Sequence, residues 1–241
     1  MGTRAVIHCE PRVAWQGPFA AKLAEGLRRV GIASRIVSDR VRVEGGFPIL
    51  LGTTFWRSIE TTGEFLLVDR CSFGDTNRWV SLVWNGHGRR GDHRLPQRVT
   101  ADRWERYAVP VQPWRYGKRV ILAGQSESYS PRWPSLTEWY DSVSATHFRP
   151  HPVGDRYPLP IATDLTDCRV LVTLNSSVAV SAVLDGVPTI TQDEGSMAWD
   201  VTGHTLDDIR TLDRLPWLHA LAWTQWTHDE IAEGAPWEYH L

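Results

Sequence analysis

The chain has few cysteines: three in 241 residues, Cys9, Cys71 and Cys168, odd in number and far apart. That count and spacing exclude a disulfide framework and a cysteine-based zinc site, and leave the three thiols as small hydrophobes. No apolar run approaches the roughly 20 residues of a membrane helix, so no membrane partner is expected. At the start of the chain Ala5-Val6-Ile7 is too short for a signal-peptide h-region and the sequence turns polar at His8. This predicts a cytoplasmic protein, in host cytoplasm if a phage encodes it. The Asp-x-Asp signature of metal-dependent transferases is missing and the histidines are scattered, so metal-independent chemistry is expected, with no cofactor. Solenoid or propeller repeats are missing too.

What is present is an ordinary globular composition, 42% hydrophobic and 22% charged. The net charge of −2 hides an asymmetry. Arg78 to Arg119 holds ten Lys/Arg against three Asp/Glu, and Thr191 to Leu241 holds ten acids against two bases. A basic block suits a phosphate-bearing or polyanionic partner; equally, its charges can pair with the acidic tail. Thirteen tryptophans exceed the usual share. Those interleaved with arginine, Trp79, Trp84, Trp104 and Trp114, either fill the core or stack on bases or sugars.

The chain opens as a βαβ unit. Ala5–Cys9 reads as a strand, Phe19–Val30 as a helix with Phe19, Leu23, Leu27 and Val30 on one face, and Ser34–Ser38 as the next strand. Short strands follow near Pro48–Leu51 and Phe65–Val68. Residues 71–115 resist assignment; they include the loop-like run Asn85-Gly86-His87-Gly88-Arg89-Arg90-Gly91, and a long irregular stretch points to function. A second α/β pattern starts near Arg119: a strand at Val120–Ala123, a loop Gly124-Gln125-Ser126, and a helix Ser135–Val143 capped by Ser135 with Glu138 three residues on. Thr146–Arg149 and Leu171–Leu174 read as strands, Ser176–Leu184 as a helix stopped by Gly186, and Pro188–Thr191 as a final strand. The expected architecture is α/β with two Rossmann-like domains, residues 1–115 and 116–225, built on parallel sheets with a cleft between them. Residues 226–241 are expected to pack back on the first.

Three elements carry chemistry. Asn175-Ser176-Ser177 sits between a buried strand and a helix, where two hydroxyls and unpaired N–H groups suit a phosphate; plain N-capping accounts for the same serines. Arg149-Pro150-His151-Pro152 follows a strand and fixes a histidine between two prolines beside a phosphate-binding arginine. Gln125 follows a third strand of the same half. All three lie at carboxyl ends of expected parallel strands, where open α/β sheets place ligands.

These residues, in this order, carry a resemblance. The stretch from about 119 to 200 resembles the nucleotide-binding half of capsular-polysaccharide glycosyltransferases, including Kdo transferases. It is also similar to CDP-glycerol-type transferases and to bacterial sialyltransferases with an "HP" motif. Those families pair an Arg/Lys-Pro-His-Pro element with a Ser-Ser or Ser-Thr helix start and then Gly-x-Pro, matched here by Arg149-Pro-His151-Pro, Ser176-Ser177 and Gly186-Val-Pro188. Gln125 matches a strand-ending Gln of the capsule group. The resemblance implies a GT-B architecture, with His151, Ser176 and Ser177 holding the donor phosphate and Arg149 assisting; Gln125 and Asn175 are expected in the same donor site. Asp69-Arg70-Cys-Ser-Phe73-Gly74-Asp75 with Trp84-Asn85-Gly86 looks like glycosyltransferase-like proteins of bacteriophages. That implies a double-stranded DNA acceptor bearing 5-hydroxymethylpyrimidine; a surface polysaccharide or lipid-linked glycan is the alternative, as is a non-catalytic sugar-nucleotide-binding protein.

Transfer needs a base for the acceptor hydroxyl and donors for the leaving phosphate. Asp69 and Asp75 are the expected bases, Asp69 first because it follows a clear strand, and His8 is a third. Salt bridging is the competing role for Asp69. Gln192, Asp193 and Glu194 follow the last strand and either reach sugar or ribose hydroxyls, Glu194 above all, or form an acidic turn. The acceptor is expected against Arg70, Trp84, Asn85, His87, Arg89 and Arg90. The donor is a nucleotide sugar, UDP-linked by preference, CMP- or GDP-linked otherwise.

Overall fold

The computed structural model describes residues 4–38, 45–53, 55, 63–75, 77–107, 109–125, 136–152 and 160–241. The expected helix cap Ser135 and the loop residue Ser126 lie outside these residues. The chain divides into two compact units, Met1–Arg106 with His219–Leu241, and Tyr107–Leu218. The sequence reading placed its boundary between 115 and 116 and its returning segment at 226.

Unit 1 is built on β1 (Arg4–His8), β2 (Ala33–Val37), β3 (Phe47–Leu51), β4 (Leu66–Arg70), β5 (Trp79–Trp84) and β10 (Gln225–Thr227), in the order β10-β5-β4-β3-β1-β2. β1 pairs parallel with β2 and β3, and β3 with β4. β5 runs antiparallel to β4, and β10 antiparallel to β5, so the sheet is mostly rather than wholly parallel. The inner strands are apolar at consecutive positions, as strands covered on both faces must be. On one face α1 (Gln16–Arg29) buries Phe19, Leu23 and Leu27. Val30, expected on that face, is exposed because the helix ends one residue before it. The tail supplies α7 (His228–Glu233) and α8 (Trp237–His240), whose Ile231 and Trp237 enter the same core. Thr227 and Glu230 form a reciprocal capping box at the start of α7. β5 lies in the stretch that resisted assignment; alternation puts Val80, Leu82 and Trp84 in the core with α1.

Unit 2 is built on β6 (Arg119–Ala123), β7 (His147–Arg149), β8 (Cys168–Thr173) and β9 (Thr189–Thr191), all parallel, in the order β7-β6-β8-β9. One face packs Ile121, Ala123 and Leu171 against Leu165 of α4 (Ile161–Leu165) and Ala182 of α5 (Val178–Leu184). The other packs Leu122, Val172 and Ile190 against Trp139 of α3 (Leu136–Ser142). Helices on both faces of a parallel sheet define a Rossmann-like layer architecture. No helix among the described residues is long and apolar enough to cross a membrane. The three cysteines are buried, and burial pushes the thiols of Cys71 and Cys168 up, to about 12 and about 11.

Candidate functional site

A parallel sheet delivers the loop after every strand to one edge, and that edge is where open α/β sheets bind ligands. In unit 2 the loop after β6 carries Gly124-Gln125, the loop after β7 carries Pro150-His151, and the turn after β8 carries Asn175-Ser176-Ser177. The segment after β9 carries Gln192-Asp193-Glu194. Residues from four separate parts of the sequence thus share one sheet edge.

Gly124 joins two of these loops. Its N–H donates to the Arg149 carbonyl at 2.7 Å, and a Cβ on it would lie 2.8 Å from the His151 nitrogen, closer than real Cβ contacts allow. Gln125 follows, 7% exposed, with its N–H donating to the Tyr140 hydroxyl at 3.2 Å. Its side-chain Oε1 is buried without a hydrogen-bond partner among the described residues. Thr173, the last residue of β8 and fully buried, leaves its Oγ1 in the same condition. Two positions after Leu171, Thr173 faces the α4–α5 side by the strand's alternation. Unpaired buried oxygens cost about 1–3 kcal/mol each and call for a partner. Here both belong to neighbouring strands, at or just past their carboxyl ends.

The serines do not cap α5. Ser177 stands at the N-cap position with a helical backbone, φ −58 and ψ −17, and makes no side-chain capping bond. Ser176 Oγ accepts from the Val178 N–H only at 3.4 Å, beyond a good hydrogen bond. Ser177 is exposed and Asn175 and Ser176 are half-buried. At the far end of α5, Gly186 takes φ +74, and a Cβ there would lie 2.0 Å from the Pro113 carbonyl oxygen. Only glycine turns the chain into Val187-Pro188 and β9 at that point.

His151 is half-buried, and burial pushes its pKa below the usual histidine value, against the opposing effect of a hydrogen bond to the Pro152 backbone. Its imidazole is therefore neutral at pH 7 and offers a ring N–H rather than a full charge. Arg149 is engaged: its guanidinium binds Asp164 of α4, and both side chains are nearly buried. Gln192 accepts from the Trp139 indole at 2.6 Å, and Asp193, 4% exposed, accepts from the Gly195 N–H at 2.7 Å. Those two residues shape the turn, while Glu194 is exposed at its tip.

In unit 1, Asp69, the last residue but one of β4, has Oδ2 3.0 Å from His87 Nε2, both side chains about a quarter exposed, and its Oδ1 accepts from the Arg70 N–H. Their positions in the sequence give these two residues separate roles, base and acceptor contact. Asp75 is exposed and accepts from the Asn77 N–H at 2.9 Å, which makes it the turn residue ahead of β5. His8 is fully buried at the end of β1, its ring 5.9 Å from Phe55. One acceptor-side expectation needs correction. Trp84 is a core residue, 3% exposed, with its indole N–H on His240, so it offers no face to a ligand. Asn85, exposed at φ 55, accepts from the Phe65 N–H and shapes the turn after β5. Arg70, Arg89 and Arg90 are exposed.

The basic block is partly matched internally. Arg103 is buried against Glu230 of the acidic tail, Arg115 pairs with Asp185, and Arg94 reaches the His240 carbonyl and Glu64. Of the tryptophans expected to stack, Trp104 is buried beside Phe73, and Trp114 has the Arg214 guanidinium 4.1 Å from its ring centre. Thr173 and Asp164 escaped the sequence reading. The one legible signal for Thr173 was a hydroxyl ending the apolar run Val170-Leu171-Val172.

No protein-family model and no curated protein matches this sequence. Among solved structures the chain is similar to KpsC of Thermosulfurimonas dismutans, described as a beta Kdo 2,7 transferase. The two share 14% identity with a TM-score of 0.53, over 98% of this chain and 99% of that one. At that identity the likeness is one of fold: α/β and Rossmann-like, with one wholly parallel and one mostly parallel sheet.

Proposed function

We propose that the chain is a glycosyltransferase whose unit 2 holds a nucleotide-sugar donor at the carboxyl edge of its parallel sheet. The observation that carries this reading is the gathering of Gln125, His151, Asn175, Ser176, Ser177 and Glu194 at that edge. The fold shared with a Kdo transferase supports it.

In this reading the neutral His151 ring N–H and the Ser176 and Ser177 hydroxyls donate to the donor phosphate. They stabilise the charge that develops as the sugar–phosphate bond breaks. Gln125, just past β6, lies beneath the donor at the same edge. Arg149, held by Asp164, positions the His151 loop. Asp69, oriented by His87, takes the proton of the acceptor hydroxyl. Of the tryptophans offered for stacking on a DNA acceptor, Trp84 and Trp104 serve the core, so that acceptor rests on Trp79 and the exposed Arg70, Arg89 and Arg90.

The test is a thermal-shift panel of UDP-, CMP- and GDP-sugars, run with His151→Ala alongside. Ligand binding to the native state raises its melting temperature by mass action. One nucleotide class raising the melting temperature, with the rise lost in the variant, is the expected outcome. No rise with any donor in a folded sample rejects the reading, and binding without turnover points to a non-catalytic sugar-nucleotide binder.

A further inference from the structure

Past β9 the chain doubles back along the outer side of unit 2's sheet. The Thr191 N–H donates to the Gly203 carbonyl and the Gly203 N–H to the Thr189 carbonyl, each at 3.0 Å. This sets His204 at the carboxyl end of β9, with Nδ1 3.2 Å from the Thr191 carbonyl oxygen. A carbonyl only accepts, so Nδ1 carries the hydrogen. The Trp199 ring stacks on that imidazole, with centroids 3.5 Å apart at 14°. Two successive turns, closed by the Ser196 N–H on the Asp193 carbonyl and the Trp199 N–H on the Ser196 carbonyl, lead from Glu194 to the stack. Trp217 of α6 (Leu215–Trp223) braces the same loop, donating its indole N–H to the Met197 carbonyl at 2.8 Å.

Neither ring of the stack belongs to the two cores that flank the sheet, and both residues are half-buried. Their outer nitrogens are open to solvent: Trp199 Nε1 and His204 Nε2 make no hydrogen bond among the described residues, and neither is a buried atom. Other indoles are committed. Those of Trp84, Trp114, Trp139, Trp217 and Trp223 each donate within the protein, and Trp104 of α2 (Asp102–Tyr107) is buried. An indole donor and, on the neutral imidazole, an acceptor thus stand side by side at this edge, with the exposed Glu194 carboxylate on the same loop. A phosphate would be repelled by that carboxylate. An apolar ligand would strip water from the indole N–H and from Nε2 without replacing it. A sugar ring supplies what each group needs: a hydroxyl oxygen for the indole N–H, O–H donors for Nε2 and the carboxylate, and C–H groups for the indole surface that His204 leaves uncovered. The segment bearing His204 lies two strand positions from β8, about 10 Å along the edge from the strand that leads into Ser176 and Ser177. A sugar linked to a phosphate at those serines reaches it.

We propose that Trp199, His204 and Glu194 form the subsite for the transferred sugar of the donor. The assignment rests on the donor reading and adds to it which end of the nucleotide sugar points toward β9.

The experiment follows the Trp199 indole N–H peak of the full chain by NMR, assigned by its loss in Trp199→Phe. UDP-glucose, UDP-N-acetylglucosamine, GDP-mannose and CMP-N-acetylneuraminate are titrated, each against its free nucleotide. One nucleotide sugar is expected to shift the peak, and its free nucleotide to bind without doing so. Trp199→Phe keeps an aromatic ring and His204→Phe keeps the stack. Each is expected to weaken that nucleotide sugar roughly tenfold, the loss of one hydrogen bond, and to leave the affinity of the free nucleotide unchanged. Circular dichroism checks that both variants fold. A peak that shifts equally with the free nucleotide would make this a nucleoside subsite and overturn the proposal. Equal losses for both ligands, or no loss in either variant, would overturn it as well. A silent Trp199 peak with shifts at the His151 and Ser177 amides overturns the sugar subsite alone; no binding of any ligand to the folded chain overturns the donor reading with it.

Discussion

The indole N–H of Trp84 donates to Nδ1 of His240 across 3.1 Å, inside the core of unit 1. Only a neutral imidazole presents a lone pair there. Burial, reinforced by His93 and Arg94, pushes His240 down to about 3 from 6.5. Between those values the unfolded chain binds a proton that the folded chain refuses. The contribution of His240 is therefore complete above about 6.5 and is lost as the pH falls toward 3. Urea melts across that window are expected to show falling stability, with a shallower slope for His240→Gln, which keeps an acceptor for Trp84 and cannot titrate. Equal slopes in the two proteins would remove His240 as the cause.

Arg103 grips Glu230 with two bonds, Nη1 to Oε1 at 2.8 Å and Nη2 to Oε2 at 3.1 Å. Burial alone would raise the Glu230 carboxyl, but Arg103 and the Thr227 backbone outweigh it and hold it below its usual value. Removing one partner leaves a buried charge unmatched. Arg103→Met is expected to destabilise unit 1 by about 3 kcal/mol in chemical denaturation. Arg103→Met with Glu230→Met together is expected to recover part of that loss, because no charge is then stranded.

Gly186→Ala sets a side chain on a backbone at φ +74 and against the Pro113 carbonyl. A loss of more than about 1 kcal/mol is expected, beyond the intrinsic left-handed penalty. Ala182→Gly, elsewhere on the same layer, is a control for simple loss of packing. A neutral Gly186→Ala melt would mean that the chain around Pro113 yields.

Local patterns made much of the fold readable. Ala5-Val6-Ile7, the spacing of Phe19, Leu23 and Leu27, and the run from Leu171 to Pro188 each announce their element through periodicity or a glycine stop. β5 stayed hidden because tryptophan and arginine flank its apolar alternation. Trp84, which its arginine-rich surroundings suggest as an acceptor contact, is the inward-facing end of that strand. β10 has three residues and exists through its pairing with β5, a non-local contact that no window of sequence contains. At the candidate site, Gln125, His151 and the serine pair were visible because they follow strands. The Arg149–Asp164 pair and the Asp69–His87 pair join residues on separate elements, which spacing alone does not bring together.

Asp69 and His87 predict a split between binding and turnover. Asp69→Asn and His87→Ala are expected to lower donor turnover by about 100-fold, read as nucleotide release, as for loss of a general base. Both are expected to keep the wild-type thermal shift with the donor. Lost donor binding would instead place the pair in the donor site or in the fold.

The most direct test of the donor site is amide NMR of the full chain titrated with the nucleotide sugar that gives the largest thermal shift. The account predicts that the perturbed amides cluster at Gln125, His151, Ser176, Ser177 and Glu194, and that Ser177→Ala weakens the titration. Perturbations confined to other elements, or none at saturating donor, would contradict it.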